Sequence, residues 1–206
     1  MSKPIVALVG RPNVGKSTLL NRLAQKRLAV VDDVPGTTRD RLVAEADWAG
    51  LLFDIIDTGG IDPTQTGPGS NQQPLSIGSA DFIQEIRTQA EIAISLADAV
   101  LFITDVESGV TPADQEVAQI LRRHQKEKDG QPWPPVILVV NKCESATRRA
   151  DAYQFFELGM GEPYPISAKH GTGTGDMLDA LVNEFKDWVE EEEEDETIKI
   201  AIVGKP

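Results

Sequence analysis

Apolar and polar positions along this chain follow two alternating periods, one typical of strands and one typical of helices. Continuous apolar runs lie at 5–9, 99–104 and 136–140, and each is followed by a polar segment. Such runs predict strands that are buried on both faces. Apolar residues at helical spacing predict helices over about 16–25 and 82–97. Strands that alternate with helices indicate a parallel sheet.

The remaining periodic segments complete an α/β pattern. Residues 42–48 and 51–57 are apolar-rich runs joined around Ala49-Gly50, which predicts a hairpin. Thr111-Pro112 is a strong helix start, with Thr as the cap and Pro at the first helical position. Three more elements follow: a helix over about 146–158, a strand that ends near Ile166 and a helix over about 174–189. We therefore expect a mostly parallel six-stranded sheet with helices on both faces and an antiparallel hairpin strand at one edge.

Two segments fall outside this periodicity. Residues 61–80 are rich in Pro, Gly, Ser, Gln and Thr, which predicts a long polar loop. Residues 126–135 are polar and proline-rich, and we predict a loop there as well.

The first candidate for chemistry is the segment GRPNVGKS from Gly10 to Ser17, of the form G-x-x-x-x-G-K-S. It lies between a predicted strand and a predicted helix, the context in which this loop binds phosphates. Backbone N–H groups wrap the polyphosphate at a helix N-terminus, Lys16 reaches the outer phosphates, and the Ser17 hydroxyl holds Mg²⁺. The predicted phosphate-binding residues are Asn13, Val14, Gly15, Lys16, Ser17 and Thr18.

Two further motifs extend the phosphate end of the site. Asp57-Thr58-Gly59-Gly60 has the form D-x-x-G at the end of a predicted strand. There Asp57 can hold Mg²⁺ through a water, and the Gly60 N–H can meet a γ-phosphate. The segment 35–40 can cover the nucleotide, and a threonine hydroxyl, Thr38 in preference to Thr37, would complete the Mg²⁺ shell.

A base-binding motif follows the last long apolar run. Asn141-Lys142-Cys143-Glu144 resembles N-K-x-D, in which a carboxylate accepts hydrogen bonds from the guanine N1–H and exocyclic amine. Adenine lacks that donor pair, so the motif predicts GTP in preference to ATP. The carboxylate here is Glu144, which is one methylene longer than Asp. Ser167, Ala168 and Lys169, after the next strand, complete the predicted base site, and Cys143 is predicted to be a buried filler.

In this order and spacing the motifs resemble those of translation-factor-type GTPases and, more narrowly, the first G domain of the Der (EngA) family, bacterial and plastid GTPases with two tandem G domains. The resemblance implies a P-loop G domain, GTP hydrolysis, a role in maturation of the large ribosomal subunit, and a KH-like domain beyond a second G domain. This sequence departs from the family at Glu144, in an insertion near 65–79 and in the segment 126–135.

The resemblance also bears on catalysis. Ile61 stands where Ras-like enzymes place a water-orienting Gln, and its apolar side chain cannot polarise water. Hydrolysis would depend on Mg²⁺ and Lys16 and, as in related GTPases with Asn at this loop position, on K⁺ held by Asn13. The predicted catalytic residues are Lys16, Asn13, Thr38 and Gly60, with Ser17, Thr38 and Asp57 for Mg²⁺.

Charge and repetition divide the chain into three parts. The net charge is −13, and the acidic run 190–196 alone carries seven of those charges. After it, residues 198–206 echo residues 4–12 up to the start of a second phosphate-binding loop. We predict a G domain over 1–189, an acidic linker over 190–197 and the beginning of a second G domain at 198–206.

Composition limits the partners and the compartment. An acidic balance argues against general charge-driven binding of nucleic acid, although a few placed residues can still contact a ribonucleoprotein. One cysteine, no long apolar window and no signal-peptide pattern predict a cytoplasmic protein, or one of the plastid stroma, with no membrane partner. Two rival functions stay open: a P-loop ATPase or kinase-like transferase, and a regulatory G domain that binds nucleotide with little hydrolysis.

Overall fold

The computed structural model describes residues 3–24, 43–57 and 80–185. The first half contains β1 (Ile5–Val9), α1 (Lys16–Ala24), β2 (Val43–Trp48), β3 (Leu51–Asp57), α2 (Ala80–Leu96) and β4 (Ala99–Asp105). The second half contains α3 (Pro112–His124), β5 (Lys126–Lys128), β6 (Gln131–Trp133), β7 (Val136–Asn141), α4 (Ala146–Asp151), β8 (Pro163–Pro165) and α5 (Thr174–Asn183). Short 3₁₀ turns follow β4 at Val106–Ser108 and α4 at Ala152–Leu158.

The main sheet has six strands in the order β2-β3-β1-β4-β7-β8. All neighbours pair in parallel except β2, which is antiparallel to β3 at one edge. The predicted sheet and its edge hairpin are thereby confirmed. After β1 the chain forms β2 and β3 on one side of β1 and then crosses to form β4 on its other side. This change of direction opens a crevice at the carboxyl end of β1, where ligands bind in such sheets.

The sheet is covered on both faces because its central strands are apolar along most of their length. All seven residues of β4 are buried. Val100 and Phe102 pack in the cluster that includes α2 and α3, whereas Leu101 and Ile103 pack in the cluster that includes α1 and α5. Successive side chains of a strand point to opposite faces, so one apolar run fills two cores.

The segment 126–135, predicted to be a loop, instead contains the two-stranded hairpin of β5 and β6. Asp129 and Gly130 have φ values of 53° and 76°. Positive φ at both central residues is what a two-residue hairpin turn requires, and Asp-Gly is a preferred pair for it. The overlooked signal was this dipeptide.

Two predicted helix lengths are also corrected. The helix expected to extend to 189 ends at Asn183, because the chain tightens so that the Phe185 N–H donates to Val182 O at 3.0 Å while the Phe185 ring is buried. The helix expected over 146–158 is α-helical only to Asp151 and then becomes 3₁₀. Within the three described ranges, no helix has the length and apolar character needed to span a membrane.

Candidate nucleotide site

The loop after β1 is pressed against the neighbouring strand. Gly10 has a φ of 152°, and a Cβ there would lie 2.2 Å from the carbonyl oxygen of Ile103, so no side chain fits. The Lys16 ammonium folds back over the loop and donates to Gly10 O at 2.6 Å and Arg11 O at 3.1 Å. These bonds hold the charge at the mouth of the loop, where a polyphosphate would lie.

The Mg²⁺ ligands predicted within the described residues come together across two elements. The Ser17 hydroxyl, at the start of α1, donates to Asp57 Oδ2, at the end of β3, at 3.1 Å. A hydroxyl and a carboxylate this close together could hold one Mg²⁺ between them, with the hydroxyl on the ion and the carboxylate on a water of its shell. Among the described residues there is no group of three or more His, Cys, Asp or Glu that could hold a metal. A site with one hydroxyl and one carboxylate suits Mg²⁺ carried on substrate phosphates.

Asn141 joins the phosphate end of the site to the base end. Its side-chain N–H donates to Val14 O at 2.8 Å, and its Oδ1 accepts from Ala168 N at 2.9 Å. The side chain runs so close to Gly15, whose φ is 99°, that a Cβ there would lie 2.3 Å from Asn141 Nδ2. The second glycine of the G-x-x-x-x-G-K-S motif, Gly15, is therefore needed because any side chain there would collide with the Asn141 amide.

The loop 167–169 is held from the opposite side by α1. Arg22 donates from Nε to Ala168 O and from Nη2 to Lys169 O. The loop also closes on itself, since the Ser167 hydroxyl accepts from His170 N at 3.2 Å and Ser167 O accepts from Gly171 N at 2.6 Å. The loop is thus positioned by hydrogen bonds within the protein itself.

Lys142 is held by acidic side chains at and just after the end of β4, the neighbouring strand in the sheet. Its ammonium contacts Asp105 Oδ2 at 2.6 Å and Glu107 at 3.6 Å. Asp105 also faces the Arg11 guanidinium at 4.0 Å, and Arg11 lies 3.3 Å from the fully buried Asp114. The closest Arg11 and Asp114 atoms are not aligned for a hydrogen bond, so this contact is an ion pair alone.

The carboxylate predicted to bind the base lies beside a guanidinium and an imidazole. Glu144 lies 4.0 Å from Arg148 and 3.5 Å from the His170 ring. Arg148 is itself tied to Glu107 at 2.7 Å and donates to Lys142 O at 3.4 Å. Glu144 thus belongs to a group of polar side chains that includes Arg148, His170 and Glu107.

Cys143 is fully buried, as predicted, and its thiol donates to Val140 O at 3.3 Å. Burial raises the pKa of this thiol to about 11. A group that stays protonated at neutral pH is not a nucleophile.

Most predicted site residues lie around one crevice at the carboxyl edge of the sheet. Val14 and Ala168 are buried in it, whereas Asn13, Ser17, Thr18 and Lys169 are exposed. Thr38 and Gly60 lie outside the described residues.

Sequence reasoning missed the residues that position this site: Arg22, Asp105, Glu107, Arg148 and His170. For Asp105, a signal was available, since an acid directly after a buried strand falls at the same sheet edge as the other motifs. Arg22 had no local signal, because its partners are 146 and 147 residues away in the chain.

A six-stranded sheet with a glycine loop after β1, a lysine over that loop and an Asn-Lys pair after β7 is a P-loop GTPase G domain. A family described as "50S ribosome-binding GTPase" matches residues 5–142, and the chain belongs to that family.

Curated relatives confirm the predicted resemblance to Der. The chain is 50% identical over 206 residues to GTPase Der of Limosilactobacillus fermentum. The match covers all of this chain and 42% of that protein. GTPase Der of Clostridium perfringens is also 50% identical, again with 42% of its length covered. The chain therefore spans less than half the length of these relatives.

Among solved structures, Era of Aquifex aeolicus bound to GDP and AlF4⁻ superposes with a TM-score of 0.57 at 26% identity, over 89% of this chain and 57% of that one. The isolated G domain of FeoB from T. maritima superposes with a TM-score of 0.57 at 21% identity, over 90% of this chain and all of that one. The second likeness shows the fold alone.

Proposed function

We propose that this chain is the first G domain of a tandem GTPase, which binds and hydrolyses GTP and acts in assembly of the large ribosomal subunit. The observation that carries the nucleotide assignment is Asn141, whose amide joins the phosphate loop to the loop 167–169. The ribosomal role rests on the family and on the Der relatives.

At the phosphate end, Lys16 and the loop N–H groups bind the outer phosphates. Ser17 and Asp57 would hold Mg²⁺, which when bound neutralises charge that develops on the transferred phosphoryl group. Thr38 and Gly60 are proposed to complete this end around the γ-phosphate.

At the base end, Glu144 accepts hydrogen bonds from the guanine N1–H and exocyclic amine. Lys142, Ser167, Ala168 and Lys169 form the rest of the base pocket. Two contacts support this assignment, since Asn141 Oδ1 accepts from Ala168 N and Cys143 N donates to Ile166 O at 2.9 Å, so the residue before Glu144 is tied to the strand end that precedes the loop 167–169.

Stimulation by K⁺ is a further part of the proposal, and it rests on Asn13. This residue is exposed on the phosphate loop and has a φ of 66°, so its backbone occupies the left-handed region that Asn tolerates. An ion there would supply charge near the β- and γ-phosphates, which Ile61 cannot.

The wider organisation is proposed from the sequence and the relatives. Residues 190–197 would link this domain to a second G domain that begins at 198–206, with a KH-like domain beyond it. The proposed location is the cytoplasm, or the stroma if the protein belongs to a plastid.

Turnover of GTP and ATP by the 206-residue chain, in Mg²⁺ with either KCl or NaCl, tests this proposal. We expect multiple turnovers of GTP, little turnover of ATP and a higher rate in KCl. An Asn13→Ala variant should lose the K⁺ stimulation but keep GDP affinity, and Asn183→Ala, exposed on α5, is the matched control.

Different outcomes separate the rival functions. ATP that competes with labelled GDP at equal strength would contradict the guanine assignment and favour an ATPase. Tight GTP binding without multiple turnover would favour the regulatory domain. Equal rates in the two salts, or full K⁺ stimulation of Asn13→Ala, would remove the K⁺ site alone.

A further inference from the structure

The hairpin of β5 and β6 is not used by the nucleotide site, and its two faces differ in chemistry. Lys126 lies directly opposite Trp133, and Lys128 lies directly opposite Gln131. Because directly opposite residues share a face, these four side chains lie on one side of the ribbon. We call this side, formed by Lys126, Lys128, Gln131 and Trp133, the hairpin face.

The other side carries Glu127 opposite Pro132. The Glu127 side chain thus lies on the side of the ribbon opposite to the two lysines. The segment 122–133 has four Lys and Arg against two acids, in a chain whose net charge is −13. The hairpin face is therefore a local cationic surface on an acidic protein.

The lysines of the hairpin face are available to a partner. Both are exposed, and within the described ranges neither forms an ion pair. Lys128 instead places its ammonium 4.0 Å from the centre of the Trp133 ring. This contact shows that the ammonium and the indole are within reach of one ligand group.

The base of the hairpin is anchored to the domain. Gln125 donates from Nε2 to Pro134 O at 2.8 Å, and Val100 N donates to Pro135 O at 2.9 Å. Since the hairpin leads into the amino end of β7, it lies at the edge of the sheet opposite the nucleotide site. A partner bound there leaves the nucleotide crevice open.

We propose that the hairpin face binds single-stranded RNA, with Lys126 and Lys128 on successive phosphates and a base stacked on Trp133. Alternate residues of a strand are about 7 Å apart, a spacing comparable to that of phosphates in an extended strand. Lysines alone suit any anion, but two lysines beside an indole and an amide suit a ligand with both phosphates and flat bases.

The contact between Lys128 and Trp133 suggests how RNA would be bound. A stacked base takes the place of the Lys128 ammonium over the indole, and that ammonium moves to the adjoining phosphate. Gln131 offers both a donor and an acceptor to the base edge. For its biological role the inference rests on the ribosome association proposed above, but RNA binding itself does not require that association or GTP hydrolysis.

Fluorescence anisotropy of a labelled 12-nucleotide oligouridine RNA, titrated with the 206-residue chain, tests the proposal. Lys126→Ala/Lys128→Ala should weaken binding about tenfold or more at low salt, and lower the slope of log K against log salt by about 1.4. The control Arg87→Ala/Arg149→Ala removes the same charge elsewhere and should change affinity less than twofold. Unchanged thermal unfolding of each variant shows that the fold is intact.

The indole provides a second readout. RNA should quench tryptophan emission in the wild type, and Trp133→Phe should remove most of that quenching and weaken binding several-fold. Glu127→Ala, on the opposite side of the hairpin, should leave the quenching intact.

Three outcomes would overturn the inference: no RNA binding by the wild type, an equal loss in the hairpin and control variants, or equal competition by a polyglutamate peptide of matched charge. The last would indicate an acidic protein partner. GTP turnover measured on the same samples separates this inference from the proposed function, because loss of turnover with intact RNA binding contradicts only the latter.

Discussion

The phosphate end and the base end of the crevice are built in different ways. At the base end, side chains that hydrogen-bond to the backbone of distant segments form a frame, in which Asn141 spans two loops and Arg22 holds the second of them. At the phosphate end, charged groups face the ligand position directly, with Lys16 over its loop and Ser17 against Asp57.

This difference separates affinity from selectivity. A residue that contacts phosphate contributes the same binding free energy for GTP and ATP, since the two nucleotides share the triphosphate. A residue that positions the base pocket changes the difference in binding free energy between the two nucleotides. Substitutions at the two ends should therefore be distinguished by the ratio of GTP to ATP affinity rather than by GTP affinity alone.

The largest effect is expected from Lys16→Ala. Loss of charge-assisted bonds to two phosphate oxygens, at about 2 kcal/mol each, weakens nucleotide binding about a thousandfold. GTP and ATP should lose affinity in the same proportion, as measured by competition with a fluorescent GDP. Arg149→Ala, which removes an exposed cation away from the phosphate loop, should change neither. A loss confined to GTP would place Lys16 in the base pocket and break the division between the two ends.

Asn141→Ala should act mainly on selectivity. The variant leaves Val14 O and Ala168 N buried without a partner, at about 1–3 kcal/mol for each group. We expect the GTP-to-ATP affinity ratio to fall at least tenfold, and the free energy of unfolding to fall by about 2–6 kcal/mol. Asn183→Ala should alter neither quantity. An unchanged ratio would mean that the frame stabilises the fold without shaping the pocket.

Arg22→Lys tests the frame from its other side with a smaller expected effect. Lysine keeps the charge but cannot donate to both carbonyls with the fork geometry of a guanidinium. The loop 167–169 should loosen, and the affinity ratio should fall about fivefold, at roughly 1 kcal/mol for one lost bond. Equal loss of GTP and ATP affinity would indicate that the effect passes through α1 to the phosphate loop.

What could be predicted from the sequence follows the same division. The phosphate end uses contiguous motifs, so Gly10 to Ser17 and Asp57 were placed by spacing and by the ends of apolar runs. Continuous apolar runs likewise predicted β1, β4 and β7, because strands buried on both faces are apolar along most of their length.

The frame of the base end could not be predicted in that way. Arg22 lies on an amphipathic helix, and its sequence neighbours do not distinguish a surface arginine from one that holds a loop 146 residues away. The hairpin 126–133 was missed for a different reason, since strands of three residues are too short to show a period.

The smallest effect at neutral pH concerns Cys143, the buried residue between Lys142 and Glu144. Burial raises the pKa of its thiol from 9.0 to about 11. Between these two values the unfolded chain has lost the proton while the folded chain keeps it, so the free energy of unfolding falls as pH rises from about 9 to 11, by about 3 kcal/mol in total. Burial raises the pKa of Tyr164 as well, which destabilises the fold in the same direction at high pH, so the contribution of the thiol must be obtained from the difference between two variants.

The measurement is urea unfolding of the wild type and Cys143→Ala at several pH values. The gap between the two curves should be constant below pH 9 and should close as pH rises, because only the wild type loses the thiol contribution. Parallel curves across this range would mean that the thiol ionises as freely in the folded protein as in the unfolded chain, and that the base end admits water.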